Sequence, residues 1–127
     1  MPQFGDEKNM KNRIQYNFNE GKLFYGRIGT KRNDLGKKVG QEFSSSGHLF
    51  FDYKSIRQSD IENYQTTDKK LDLKVHTYYI PGVNDSHKVE IDNDLYNVVK
   101  IDPSNDRKTM YWYLSKLGGK SSEKSET

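Results

Sequence analysis

Hydrophobic and polar residues alternate most regularly between residues 71 and 79. One set of alternate positions is apolar or well suited to strands, and comprises Leu71, Leu73, Val75, Thr77 and Tyr79. The positions between them are mostly polar, and comprise Asp72, Lys74, His76 and Tyr78. Because successive side chains of a strand point to opposite faces, this pattern predicts a strand with one buried face. We expect the other face to be mostly polar, with Lys74 in solvent and His76 solvated or at an interface.

Shorter apolar segments bounded by turn residues predict further strands, at residues 23–28, 49–56, 89–91, 95–101 and 110–117. Asp92, Asn93 and Asp94 supply the turn chemistry of a hairpin. Between residues 57 and 67, Ser59 followed three positions later by Glu62 predicts a capping box and one short helical turn. The predicted fold is mainly β, a small antiparallel β-barrel or sandwich with one short helical turn.

Residues 29–47 are a long polar stretch with glycine at positions 29, 36, 40 and 47. The stretch contains the basic residues Lys31, Arg32, Lys37 and Lys38. We interpret it as a long mobile loop, with a short strand near residues 39–43 at most. The chain is then divided into a flexible N-terminal arm (1–21), a β-barrel domain (22–117) and a disordered tail (118–127).

Composition favours strands and a thin core. The 127 residues include no alanine, the best helix former, and only 27 Leu, Ile, Val and Phe residues. We therefore expect part of the apolar surface to be buried against other subunits. The net charge of +3, from 21 basic and 18 acidic residues, does not indicate nucleic acid as the main partner. The sequence shows no apolar leader and no stretch long enough to span a membrane, so we expect a soluble protein without a membrane partner.

The chemistry of catalysis or metal binding has little support in the sequence. There is no cysteine, which excludes a disulfide framework and a thiolate zinc site. Ser44, Ser45 and Ser46 precede His48, but no nucleophile elbow surrounds them. His76 and His87 lack a third ligand at a convincing spacing, and the nearby aspartates suit turns. We predict no catalytic residue, no metal site and no cofactor, and therefore a protein that is not an enzyme.

Aromatic residues on neighbouring strand positions predict a contact surface. Because neighbours in a strand face opposite sides, some members of this set must point away from the core. Tyrosine and tryptophan bury large areas at low entropic cost, which suits a subunit interface. The predicted interface residues are Tyr78, Tyr79, Tyr111, Trp112 and Tyr113.

Three segments in order resemble the head–tail joining, or head-closure, proteins of tailed bacteriophages. They are FFDYKSIRQSD (50–60), LDLKVHTYYIP (71–81) and DLYNVVKIDPSNDRKTMYWYL (94–114). The positions that match the family pattern are Tyr96, Val98, Ile101, Asp102, Tyr111, Tyr113 and Leu114. The likeness covers about residues 22–117.

The resemblance implies a β-barrel subunit of a ring, expected to be a dodecamer, at the head–tail junction of a virion assembled in the bacterial host cytoplasm. Such a ring lies beneath the portal and adaptor, retains the packaged double-stranded DNA and docks the tail proteins. No cofactor or catalytic residue comes with the family. In a ring, the basic loop of every copy would line or plug the channel.

Two other functions remain open at this level. A single-stranded nucleic-acid-binding module of the oligonucleotide-binding (OB) type would also combine a small barrel, aromatic residues and lysines. A tail-completion protein from the same junction is poorly separated from a head-closure protein by sequence.

Overall fold

The computed structural model describes residues 16–117, which form six strands and one helix. In chain order they are β1 (Gly21–Arg32), β2 (Lys38–Lys54), α1 (Gln58–Tyr64), β3 (Leu73–Tyr78), β4 (Lys88–Ile91), β5 (Asp94–Pro103) and β6 (Thr109–Lys116). All neighbouring strands are antiparallel, and they close into a barrel in the order β1-β2-β3-β6-β5-β4. The predicted mainly β fold is confirmed, with a closed barrel.

The barrel interior is filled by side chains from all six strands. Its fully buried members include Leu23, Phe51, Val75, Val89, Val98, Met110, Trp112 and Leu114. Burying each large apolar side chain contributes about 1.5–3 kcal/mol. The Trp112 indole donates from Nε1 to Thr77 Oγ1 at 2.9 Å, so the polar edge of the largest core residue is satisfied.

The outer face of β3 is covered at Lys74 and His76, and the prediction that Lys74 lies in solvent is wrong. Lys74 is 7% exposed and His76 is 8% exposed. Helix α1 covers Lys74, because Asp60 of that helix binds the ammonium group. Phe18 packs edge-on against His76, with ring centroids 5.1 Å apart. A strand pattern describes one sheet, so it does not reveal elements that fold over the second face.

Residues 16–18, predicted as part of a flexible arm, lie against this same face. Phe18 is buried, and Tyr78 donates a hydrogen bond from its hydroxyl to the Tyr16 carbonyl. Residues 19–21 of the predicted arm lead into β1, which begins at Gly21. Residues 1–15 of the predicted arm and the predicted tail, residues 118–127, lie outside the described residues.

The predicted mobile loop at residues 29–47 is instead the far part of a long β1–β2 hairpin. Two bulges interrupt its pairing, at the steps from Tyr25 to Gly26 and from Lys31 to Arg32. Each bulge shifts the alternation by one residue, so the sequence shows no sustained period of two. At the first bulge, a Cβ on Gly26 would lie 1.9 Å from the Ser44 carbonyl oxygen, so only glycine fits there.

The β4–β5 turn and the helix α1 both occur where the sequence predicts a turn and a helical segment. Asp92 and Asn93 take positive φ values of 52° and 71° in the two-residue turn between β4 and β5, as the turn prediction requires. The predicted helical turn is α1, but its cap lies earlier than Ser59. The Asp60 carboxylate accepts a hydrogen bond from the Arg57 backbone N–H at 2.9 Å, which makes Arg57 the N-cap.

Candidate functional site

Residues 27–44 extend from the barrel as a two-stranded ribbon, here called the projecting hairpin. Strand β1 pairs with β4 only at residues 24–26, and β2 pairs with β3 only at residues 52–54. Between these points the two strands pair only with each other. The six β1 residues from Arg27 to Arg32 span about 20 Å at the rise of a strand. Ile28 and Phe43, a half-buried cross-strand pair, give the ribbon its apolar contact.

The tip of the projecting hairpin is held by the Asn33 side chain. Its Oδ1 accepts hydrogen bonds from the backbone N–H groups of Leu35 and Lys37, at 2.9 and 3.0 Å. The Gly36 N–H donates to the Asn33 carbonyl at 2.9 Å, and Gly36 adopts φ of 83°. Such side-chain closure of a turn is a common use of asparagine. The tip therefore has a defined shape.

All four predicted basic residues lie together at this tip. Lys31, Arg32, Lys37 and Lys38 are exposed. Arg32 lies directly opposite Lys38 in the pairing register, and its Nη1 donates to the Gly36 carbonyl at 3.0 Å. Like charges directly opposite each other destabilise a strand pair. An anionic partner would relieve this repulsion, so the tip is suited to bind one.

Two apolar side chains at the same tip were not found from the sequence. Leu35 is 83% exposed and Val39 is 53% exposed. Val39 is the extra residue at the second bulge, since Lys31 pairs with Gly40 and Arg32 with Lys38. Because residues 29–47 were interpreted as a loop, Leu35 and Val39 were not identified as exposed apolar residues. The tip thus combines cations with apolar contact area.

The five residues of the predicted aromatic interface do not lie on one surface of the barrel. Tyr78 is 49% exposed, and Tyr79 and Tyr111 are half-buried. Trp112 is fully buried in the barrel core, and Tyr113 is 3% exposed beneath α1, against Tyr64. Trp112 and Tyr113 therefore do not belong to a contact surface, which corrects the prediction for these two residues. The role of Tyr78, Tyr79 and Tyr111 stays a prediction.

A second group of aromatic residues lies on the outer face of β1 and β2, and is here called the outer aromatic patch. It consists of Lys22, Phe24, His48 and Phe50, which are paired across the two strands. The Lys22 ammonium nitrogen lies 5.5 and 5.6 Å from the ring centroids of Phe24 and Phe50. Phe50 is 52% exposed. This patch was not identified from the sequence; Leu23 points into the barrel, and alternation along β1 accordingly places Phe24 on the outer face.

A buried ion pair joins α1 to the barrel. The Lys74 Nζ lies 3.0 Å from Asp60 Oδ2, and both side chains are about one-tenth exposed. Tyr113 donates to Asp60 Oδ1 at 3.3 Å. Burial alone would raise the pKa of Asp60, but the hydrogen bond from Arg57 and the Lys74 ammonium hold it below the usual value. Burial raises the pKa of Tyr113, and the Asp60 charge adds to that rise. These contacts join Asp60 of α1 to Lys74 of β3 and Tyr113 of β6, and so hold the helix against the barrel.

His76 lies between aromatic rings on the same outer face. It stacks on Tyr111 with ring centroids 4.3 Å apart. Burial lowers the pKa of His76, and the nearby Lys54 and Lys74 lower it further. The ring is therefore neutral near pH 7. His48 also has aromatic neighbours, with ring centroids 6.0 Å from Phe24 and 5.9 Å from Phe50, but it is exposed on the outer aromatic patch.

The described part of the chain offers little for metal binding or nucleophilic catalysis. Residues 16–117 contain no group of three or more His, Cys, Asp or Glu side chains placed to hold a metal ion. Ser44, Ser45 and Ser46 are exposed on β2, where the Ser45 hydroxyl donates to the Gly47 carbonyl. No helix within the same range has the length and apolar character needed to cross a membrane. The prediction of a non-enzymatic chain without cofactor stays a prediction.

Comparison with known proteins finds structural likeness only. No family model and no curated protein sequence matches the chain. The solution structure of protein SF1141 from Shigella flexneri 2a is similar, with a TM-score of 0.59 and 7% identity over 83% of this chain and 98% of its own. A chain of the virion of a native gene transfer agent particle has a TM-score of 0.49 and 7% identity, over 81% of this chain and 98% of its own. The first likeness supports the barrel fold, and neither assigns a function.

Proposed function

We propose that this chain is a structural protein of a tailed-bacteriophage virion, a head-closure subunit that forms a ring at the head–tail junction. The observation that carries the proposal is the basic tip of the projecting hairpin. Four cations against the carboxylates of Asp34 and Glu42 leave residues 29–47 with a net charge of +2. In a ring, each copy adds the same charge near the axis. The ordered series of segments that resembles head-closure proteins supports the same assignment.

The physical role of the hairpin follows from charge and reach. Duplex DNA carries about one negative charge per 1.7 Å of its axis, and each phosphate that a protein neutralises releases a counterion. A ribbon of about 20 Å places cations well inside a channel. The hairpins then hold the DNA end through its phosphates, without reading its sequence. The portal–adaptor ring and the tail proteins are the expected partners on the two faces of the ring.

The test compares two variants with equal loss of charge. One carries Lys31→Gln, Arg32→Gln, Lys37→Gln and Lys38→Gln. The control removes four exposed lysines of the barrel, with Lys54→Gln, Lys70→Gln, Lys100→Gln and Lys108→Gln. Heads assembled with each variant are assayed for nuclease-protected genome. The proposal expects leakage from the hairpin variant and retention in the control, and equal retention in both overturns it.

The outer aromatic patch favours a second candidate function, which is binding of single-stranded nucleic acid. Exposed Phe50 and half-buried Phe24 offer ring faces, and Lys22 adds a charge beside them. Stacking of a base on an aromatic side chain contributes about 1–3 kcal/mol. This function predicts that Phe50→Ala weakens binding of a mixed-sequence single-stranded oligonucleotide at least fivefold. No measurable binding by the unaltered chain at low salt eliminates it.

A further inference from the structure

The projecting hairpin has two edges without a neighbouring strand among residues 16–117. On β1 the free edge runs from Arg27 to Arg32, beyond the pairing with β4. On β2 it runs from Lys38 to Phe51, before the pairing with β3. A row of free backbone N–H and C=O groups is a template for pairing with another strand. Two-stranded hairpins are also only marginally stable by themselves in water.

Exposed apolar side chains occur at the tip of the projecting hairpin and, separately, on the part of β2 that belongs to the barrel. Five large apolar residues of the described chain are well exposed. Val39, Phe50 and Tyr53 lie on β2, and Leu35 lies at the turn that precedes it. Tyr78 is the fifth. Exposed apolar groups that lie together mark protein contact surfaces, so Leu35 and Val39 add apolar contact area beside the free edges at the tip.

The charges of the two edges select which strands can meet. The β1 edge carries Arg27, Lys31 and Arg32, so two β1 edges would repel each other. From Lys38 to Phe51, β2 carries two residues among Asp, Glu, Lys and Arg, which are Lys38 and Glu42, so its free edge has no net charge. Glu42 faces Gly29 in the hairpin register, with Arg27 and Lys31 two residues away on the same side. A Glu42 from a second copy, aligned at the same height, would meet the same two cations.

We infer that the free edge of β1 in one copy pairs with the free edge of β2 in the next copy. The inference rests on the ring of the proposed function and assigns the contact between its subunits. Hairpins that point the same way around an axis alternate in strand direction, so each new pair is antiparallel. The hairpins of the ring thereby form one continuous sheet, which satisfies both free edges. Repulsion among the basic tips opposes this assembly, and a polyanion at the axis relieves it.

Single cysteines provide the test, since the chain has none of its own. Thr30→Cys marks the β1 edge and Gln41→Cys marks the β2 edge, at two exposed positions that are partners in the hairpin register. The two variants, one carrying an affinity tag, are mixed and oxidised across a series of protein concentrations with and without duplex DNA. Asn105→Cys, at an exposed turn of the barrel, replaces one partner as the control. Light scattering measures assembly in the same samples.

The expected result is a mixed disulfide dimer from Thr30→Cys with Gln41→Cys, and little product from either variant alone or from the control. A dimer formed by Gln41→Cys alone indicates symmetric β2–β2 pairing and overturns the inference. Assembly without any cross-link places the subunit contact elsewhere, which overturns the inference but leaves the proposed ring intact. A chain that remains monomeric in all samples also overturns it. Genome leakage from the hairpin charge variant is measured separately and decides the proposed function alone.

Discussion

Replacing Lys74 by methionine tests how the outer face of β3 is stabilised. The Lys74 ammonium lies 3.0 Å from Asp60 Oδ2, with the two side chains 8% and 11% exposed. It also lies 4.9 and 5.1 Å from the ring centroids of Tyr111 and Tyr113. Removing one partner of a buried pair leaves an uncompensated charge, which costs about 3–5 kcal/mol. We therefore expect Lys74→Met to lower the free energy of unfolding by about 3 kcal/mol or more.

Urea denaturation of four variants measures this cost. Lys100→Met is the matched control, because Lys100 is an exposed lysine of β5, and its cost should stay within about 0.5 kcal/mol. Asp60→Asn retains an oxygen that can accept the hydrogen bond from Arg57. The double variant Asp60→Asn with Lys74→Met should be more stable than Lys74→Met alone, since no buried charge remains.

Two outcomes would refute this reasoning. One is a loss in Lys74→Met as small as that in Lys100→Met. The other is a double variant whose loss of stability equals the sum of the two single losses, since independent sites add and a coupled pair does not.

The pH dependence of the free energy of unfolding gives a further test of the ion pair. The Asp60 pKa is depressed, so its stabilisation is present above the unfolded pKa of about 4 and is lost as pH falls through the folded value.

Other substitutions test the bulge and the buried histidine. Gly26→Ala should destabilise the chain strongly, because its Cβ would overlap the Ser44 carbonyl, whereas Gly29→Ala has open space and should be nearly neutral; thermal denaturation compares them. His76 should titrate below 6.5 by NMR, because burial lowers its pKa. Its stabilisation is complete above the unfolded pKa and declines as pH falls through it, so His76→Gln should lose less stability than the unaltered chain between about pH 7 and pH 5.

The sequence predicts the strands of the barrel well where local chemistry decides them. Residues 71–79 alternate, and β3 lies within them. Asp92 and Asn93 tolerate positive φ, so the β4–β5 turn was predictable from residue type. The mainly β class follows from these local signals.

Features that depend on distant contacts were not predictable in the same way. Burial of Lys74 requires α1, fourteen residues earlier in the chain, to fold over the sheet. Burial of Tyr113 under the same helix depends on Asp60 and Tyr64. The alternation rule correctly places Trp112 on the opposite face of β6 from its neighbours Tyr111 and Tyr113. The rule does not show which of the two faces is the inner one.

The candidate site was predictable by residue but not by shape. The four basic residues were identified, and they do lie together. Their placement on a paired ribbon was not predicted, because bulges at Ser46 and Val39 remove the period of two that identifies strands. The outer aromatic patch arises from pairing between β1 and β2, and such pairing is not visible within one short segment.

The most direct test of the central claim is the location of the chain in purified phage particles. Cryo-electron microscopy of DNA-filled heads and of complete particles, with mass spectrometry of the same preparations, gives this location. The account predicts a ring of six-stranded barrels between the portal–adaptor complex and the tail, with the projecting hairpins directed toward the axis. Complete particles that lack the chain, or that contain it away from the head–tail junction, would contradict the account.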